Sequence, residues 1–212
     1  THAVDPALIY THYLYVSGTS KTYVEYMDWY AKFVREQFPY WPATVLDVGC
    51  NDGSQLDAFK RIGLKTYGVD PATNLHPVSS GKGHDVICDF WPTEQGFDTQ
   101  FDVITAQNSF AHNPDPVSFL QRVKEAMNDS SRLFIQTSQA DMVKYGQFDT
   151  IYHEHISFFN VKSMSQLAKR AGLYLQSVIK TDIHGTSYVF VLTKDKSLDN
   201  SKKLIAAEPK QS

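Results

Sequence analysis

The chain has 212 residues, 42% of them hydrophobic, with 20 Lys+Arg against 23 Asp+Glu and a net charge of -3. That is enough apolar material for one globular domain with a core, and it excludes a strongly basic nucleic-acid binder or a polybasic membrane-surface protein. No apolar run approaches the ~20 residues needed to span a bilayer, and Cys50 and Cys88 form no CxxC pair, so neither a disulfide framework nor a zinc knuckle is expected.

The chain starts at Thr1, and THAVDPALIY has neither the basic region nor the apolar core of a signal peptide, so a cytoplasmic protein, processed or excised, is expected. Residues 1–40 read as an N-terminal arm and a helix. Val24, Met27, Tyr30, Ala31 and Val34 recur at spacings of three and four, and Pro39 and Pro42 end that helix. TVLDVG is a short apolar run that stops at glycine, as a buried parallel strand does. SQLDAFKRIG then reads as a helix, with Ser54 as N-cap and Gly63 at its end. KTYGVD and HDVICDF are the second and third strands, and FDVITAQ the fourth. DPVSFLQRVKEAMN is a helix capped by Asp115, with Pro116 in its first turn and Val117, Leu120, Val123 and Met127 on its buried stripe. RLFIQTS is a fifth strand, SMSQLAKRAG a last helix ended by Gly172, and YLQSVIKTD and SYVFVLTK an antiparallel pair. The alternation predicts an α/β domain over 41–194, a mostly parallel seven-stranded sheet closed by a C-terminal antiparallel hairpin. Residues 195–212 read as a polar, Lys-rich tail that frays around one short helix at most.

Ligands of an open α/β sheet bind beyond the carboxyl ends of its strands. The segment there is LDVGCNDGSQL, where Gly49 and Gly53 let the backbone approach a ligand and a helix start offers N–H donors. The spacing Gly-x-x-x-Gly is not the Gly-x-Gly-x-x-Gly of nicotinamide cofactors. Asp70, at the end of the second strand, is placed to accept from ribose hydroxyls. Asp89 is a possible acceptor for an adenine amine, with Phe90 as its apolar neighbour. An adenosine without a diphosphate, beside a loop for an amino-acid group, describes S-adenosylmethionine, with S-adenosylhomocysteine as product.

Four stretches carry a closer resemblance: YLYVSGTSKTYVEY, VLDVGCNDGSQL, ITAQNSFAHNPD and FDTIYHEHISFFN, with IHGTSYVFVL a weaker fifth. They resemble the sugar C-methyltransferases, Rossmann-like class I enzymes that methylate a carbon next to the ketone of a nucleotide-linked deoxysugar. The resemblance implies cofactor contacts from Asp47, Gly49, Asn51, Gly53, Asp70, Pro71, Asp89, Phe90, Gln107 and Asn108. It puts Tyr13, Tyr15 and Ser17 near the cofactor and a small-molecule acceptor, with His184 at the acceptor. Members usually also carry a four-cysteine zinc module and a further C-terminal domain. Neither occurs within these residues, so either partner domains lie outside this sequence or a compact relative takes a different acceptor.

YHEHISFFN, at 152–160, carries the chemistry. C-methylation needs a base for a carbon-bound proton, and an unshifted histidine suits that at neutral pH. The resemblance implies that His155 is the base, while Glu154 orients it or binds the sugar. Tyr152 is placed to hydrogen-bond the developing oxyanion. His153 points the same way as His155 in an extended segment, and His112 and His184 are expected at the same edge. Alternatively, Ile151, Ile156, Phe158 and Phe159 are core and the histidines incidental. His-x-His without cysteines or a His-Glu-x-x-His helix is not a zinc set, and no metal is expected. Methylation of oxygen or nitrogen, and a non-catalytic cofactor-binding module, are the competing readings. The glycine spacing and the absent Tyr-x-x-x-Lys pair argue against a nicotinamide oxidoreductase. Trp29 and Trp41 read as packing, Trp91 as a possible wall of the adenine pocket, and Cys50 as a small filler.

Overall fold

The computed structural model describes residues 6–13, 21–137, 155–181 and 187–208. Seven strands are hydrogen-bonded in the order β3-β2-β1-β4-β5-β7-β6: β1 Thr44–Val48, β2 Lys65–Val69, β3 Asp85–Ile87, β4 Phe101–Gln107, β5 Met127–Thr137, β6 Tyr174–Thr181 and β7 Ser187–Thr193. β1 pairs in parallel with β2 and β4, and β2 with β3. β7 runs antiparallel to both β5 and β6. The expected α/β sheet with its C-terminal hairpin is therefore present, and β7 inserts between β5 and β6. The helices are α1 Pro6–Tyr10, α2 Lys21–Glu36, α3 Ser54–Arg61, α4 His76–Gly81, α5 Pro116–Ala126, α6 Val161–Arg170 and α7 Ser201–Ala207.

The chain forms two compact units, Thr1–Thr105 and Ala106–Ser212. In the first, α2 buries Met27, Tyr30, Ala31 and Val34 of the predicted stripe, Phe38 is buried just past its end, and Val24 is half-buried. Tyr30 carries its hydroxyl into the core and satisfies it on Thr105 Oγ1 at 2.8 Å, as a buried phenol must. The two tryptophans are not core: Trp29 and Trp41 are 43% and 58% exposed. Trp29 stacks on Phe33, and Trp41 lies under the Arg35 guanidinium at 4.3 Å. α4, which Pro77, two serines and Gly81 disguise as loop, is held by backbone bonds from Val78 and Ser79 N–H to the Leu75 carbonyl and from Lys82 N–H to that of Val78, while the hydroxyls of Ser79 and Ser80 both donate to the His76 carbonyl.

In the second unit Asp115 caps α5 as expected, its carboxylate accepting from Ser118 N–H. The buried stripe is Phe119, Leu120 and Val123, with Val117 only half-buried. Met127 is fully buried but already opens β5, so helix passes into strand without a loop. The predicted fraying after residue 195 is not observed up to Glu208. α7 is docked: Lys169 pairs with Asp199 at 3.3 Å and donates to Ser201 Oγ at 2.8 Å. Glu208 accepts the first N–H of α6, that of Val161, at 2.9 Å, satisfying one of the donors a helix start leaves open. No described helix is long and apolar enough to cross a membrane.

Candidate functional site

The first unit builds its site around the turn after β1. Gly49 and Gly53 have φ of 86° and 79°, and Asn51 of 51°, so the chain reverses through the left-handed region that favours glycine and asparagine. Gly53 itself is the N-cap of α3, with no side-chain cap. Ser54, expected in that role, is instead the first helical residue, and its N–H and hydroxyl both donate to the Asp52 carboxylate. A β-carbon on Gly53 would lie 2.9 Å from the ring of His84. That ring is held by Thr66 Oγ1 at 2.8 Å on one nitrogen and by Asp57 Oδ1 at 3.1 Å on the other, and burial lowers its pKa.

The expected free N–H donors at this turn are largely engaged. Gly49 and Cys50 donate to the Val69 carbonyl, Gly53 to that of Cys50, and Asn51 to Asp70 Oδ2 at 2.8 Å. Asp70 Oδ1 accepts from Ala72 N–H at 2.9 Å. The carboxylate thus pins the turn to the loop after β2, and its remaining lone pairs are what it can offer a ligand. Burial raises its proton affinity against those two bonds. Asp47, near the end of β1, is 3% exposed. Burial first, and then the Asp70 charge, push its pKa from 3.8 to about 8. With its amides engaged the turn offers a diphosphate few donors, and Asp47 and Asp70 beside it suit a ligand that brings hydroxyls. Cys50 is buried, its thiol pushed well up by burial and then by Asp70 and Asp47. Its sulfur lies 2.6 Å from where a Gly68 β-carbon would be, which makes it filler and no nucleophile.

Further out, Asp89 accepts from Phe90 N–H and from the Thr93 hydroxyl, so part of its acceptor capacity is used locally. Phe90 and Pro71 are half-buried, as is Trp91. Tyr13 exchanges two bonds with Asn74: its N–H donates to Asn74 Oδ1 at 3.1 Å, and its carbonyl accepts from Nδ2 at 2.8 Å. With Thr11, whose carbonyl accepts from both the N–H and the hydroxyl of Thr73, this straps the N-terminal arm to the loop that follows Asp70. Tyr15, Ser17, Tyr152, His153, Glu154 and His184 lie outside the described residues.

The second unit brings His112 and His155 together, ring centroids 5.0 Å apart and inclined by 32°. Two features create the pair. The Ala111 carbonyl accepts from both Ile156 and Ser157 N–H at 3.1 Å, and Phe110 packs on Phe119 and Phe159 at 5.0 and 5.1 Å. His155 is 6% exposed, while Ile156 and Phe158 are 42% and 39% exposed. Of the residues expected as core, Phe159 is buried, Ile156 and Phe158 are not, and Ile151 lies outside the described residues; a histidine is buried where those two apolar side chains are not. Burial first, then His155, lower the His112 pKa to about 4. His112 is accordingly neutral at physiological pH. Gln107 ends β4 and Asn108, with φ of 54°, follows it just before this cluster.

Sequence reasoning missed one residue here. Gln136, on β5, is 0% exposed, and a glutamine inside the apolar run LFIQT was the available signal, since strands buried on both faces are nearly all apolar. Among the described residues, no group of three or more His, Cys, Asp or Glu could hold a metal.

Residues 20–178 match a family model described as "Methyltransferase domain". The chain is 29% identical to C-methyltransferase NovU of Streptomyces niveus over 89% of its own length and 46% of that protein's, so it spans under half of that relative. It is 23% identical to a ubiquinone biosynthesis O-methyltransferase of Coxiella burnetii, covering 79% of each. In fold it resembles the plantazolicin methyltransferase BpumL solved with SAH (TM-score 0.64, 13% identity, 84% of this chain and 87% of that one). The same holds for magnesium protoporphyrin IX methyltransferase of Synechocystis PCC 6803 with SAH (TM-score 0.63, 11% identity, 81% and 83%).

Proposed function

The chain belongs to the methyltransferase-domain family and is an S-adenosylmethionine-dependent methyltransferase domain; from that premise we propose that it methylates carbon next to a ketone, on a deoxysugar-like, nucleotide-linked acceptor, with His155 as general base. The observation that carries this reading is the His112–His155 pair, with one ring held neutral by burial beside the other.

When bound, S-adenosylmethionine supplies an electrophilic methyl group on a cationic sulfur. Its ribose hydroxyls are assigned to Asp70 and its amino-acid end to the Gly49–Gly53 turn and Asp47, with Pro71, Asp89 and Phe90 on the adenosine. The chain's own part is the proton. His155 takes it from the carbon next to the carbonyl, the electron pair of that bond moves toward the carbonyl oxygen, and Tyr152 donates a hydrogen bond to the oxygen as it becomes anionic. His112 stays uncharged and so lets His155 hold the proton; Glu154 orients His155, with His153 a second donor. Tyr15, Ser17 and His184 are proposed on the acceptor side. The alternative, deprotonation of a hydroxyl for O-methylation, draws on the O-methyltransferase relatives.

The two separate in deuterium oxide. With S-adenosylhomocysteine and a nucleoside-diphosphate keto-deoxysugar, the protein should exchange the hydrogen next to the ketone for deuterium, as read by NMR. His155→Ala should abolish that exchange while leaving S-adenosylhomocysteine affinity within about twofold. Exchange that survives in the variant removes His155 as base, and methylation without any exchange in the wild type favours oxygen as the acceptor atom.

A further inference from the structure

Gln136 lies in the middle of a sheet, on β5, paired in register with Val189 of β7, and is fully buried. Neither its amide oxygen nor its amide nitrogen has a hydrogen-bond partner. Buried side-chain amides are almost always satisfied, because leaving one bare forfeits the water it had in the unfolded chain. A leucine or methionine would fill the same volume without that penalty. The anomaly is not isolated. The Gln136 carbonyl accepts the N–H of Asn108 at 3.2 Å, and Asn108 Oδ1 is likewise buried and unpartnered. Asn108 is held at φ of 54°, on the same short segment of the second unit that carries His112. Thr137 Oγ1 is also bare, but successive strand residues face opposite ways, so it belongs to another surface.

We propose that Gln136, with Asn108 beside it, is an acceptor-binding subsite that recognises a pair of adjacent oxygens, a vicinal diol or an α-hydroxyketone. The amide presents one donor and one acceptor side by side, which two neighbouring ligand oxygens meet at once, and Asn108 Oδ1 accepts from a further hydroxyl. A polyoxygenated ring supplies such a pair; an isolated ketone, an amine or an aromatic ring without adjacent oxygens does not. The sequence reading assigned Asn108 to the cofactor, and this assigns it to the acceptor. The proposal rests on the methyl-transfer reading above and names the acceptor class for it. A site that discriminates through bare buried polar groups rejects ligands lacking the matching oxygens strongly, since those groups then stay unpaired in the complex as well.

The test is Gln136→Met, with Gln136→Leu alongside, in the full chain with S-adenosylhomocysteine present. Because the amide is unsatisfied in the free protein, Gln136→Met should unfold at a higher temperature than the wild type, by a few degrees. Its S-adenosylhomocysteine affinity by calorimetry should be unchanged, and its KM for a nucleoside-diphosphate keto-deoxysugar should rise at least ~10-fold. A lower melting temperature, failure of both variants to fold, or an unchanged KM overturns the subsite. If the wild type binds S-adenosylhomocysteine but not the keto-deoxysugar, the acceptor class falls and the subsite with it, while cofactor binding stands. If S-adenosylhomocysteine itself does not bind, the parent reading fails first and is seen to do so.

Discussion

Replacing Asp47 by Asn should make the protein more stable, and the gain should depend on pH in a defined way. The swap keeps the shape and removes the ionisable group. In the folded protein the Asp47 pKa lies at about 8 against an ordinary 3.8, because the carboxyl is buried and faces Asp70. Below pH 3.8 both states are protonated, and the substitution changes little. Between 3.8 and 8 the folded protein holds a proton that the unfolded chain has released, so wild-type stability falls as pH rises. Above 8 both states are ionised and the penalty is complete. At ~1.4 kcal/mol per tenfold difference in proton affinity, the gap amounts to roughly 6 kcal/mol; with some water reaching the carboxyl, we expect about 3–5 kcal/mol.

His112 works in the opposite sense. Its pKa is lowered to about 4 from 6.5, so the unfolded chain takes up a proton in that window and the folded one does not, and stability falls as pH drops from 6.5 toward 4. The two slopes largely offset each other below pH 6.5, leaving a net wild-type loss of about 2 kcal/mol between 6.5 and 8. The assay is urea unfolding of wild type and Asp47→Asn at pH 5, 6.5, 8 and 9, followed by circular dichroism. The difference between the proteins should climb steadily and level off above pH 8. A difference that is flat across this range would refute the claim that burial and Asp70 hold the Asp47 proton.

Two further predictions concern the same turn. Gly53→Ala should destabilise the protein by about 2–3 kcal/mol in urea unfolding, because alanine resists positive φ and its β-carbon would press on the His84 ring; a loss under ~0.5 kcal/mol would mean the turn shifts freely. Asp70→Ala leaves the Asn51 and Ala72 N–H groups unpaired and should lower stability by about 2 kcal/mol, while weakening S-adenosylhomocysteine binding by about 1–3 kcal/mol in a calorimetric titration. Unchanged affinity would take Asp70 off the ribose.

The strands were legible because each is an apolar run closed by a turn residue, and burial on both faces leaves little else in TVLDV or FVLT. α4 was not legible: His76-Pro-Val-Ser-Ser-Gly reads as loop by propensity, and its helical turn rests on backbone bonds such as Ser79 N–H to the Leu75 carbonyl, which leave no periodic pattern in so short a segment. The fraying assigned to the tail failed for a related reason. Its polar residues find partners on α6, in Lys169 and the Val161 N–H, and such tertiary pairing leaves no periodic trace. Of the site, the glycine turn could be read from spacing alone. His112 and His155 could be read only as sharing an edge; their contact could not, because it is set by the Ala111 carbonyl, which gathers two N–H groups from residues far along the chain, and by Phe110 packing on Phe119 and Phe159. Gln136 was readable in principle, as an amide inside the apolar run LFIQT.

The self-satisfied glycine turn also bears on competition inside a cell. Adenosine is shared by ATP, ADP and the nicotinamide dinucleotides, so a pocket that recognises only adenine and ribose would spend much of its time holding the wrong molecule. Here the N–H groups of Gly49, Cys50, Asn51 and Gly53 are already engaged by Val69, Cys50 and Asp70. A phosphate chain placed at this turn would find those donors taken, which disfavours phosphorylated adenosines. Selectivity of that kind needs no lid and no editing step: it is written into which backbone N–H groups the turn keeps for itself.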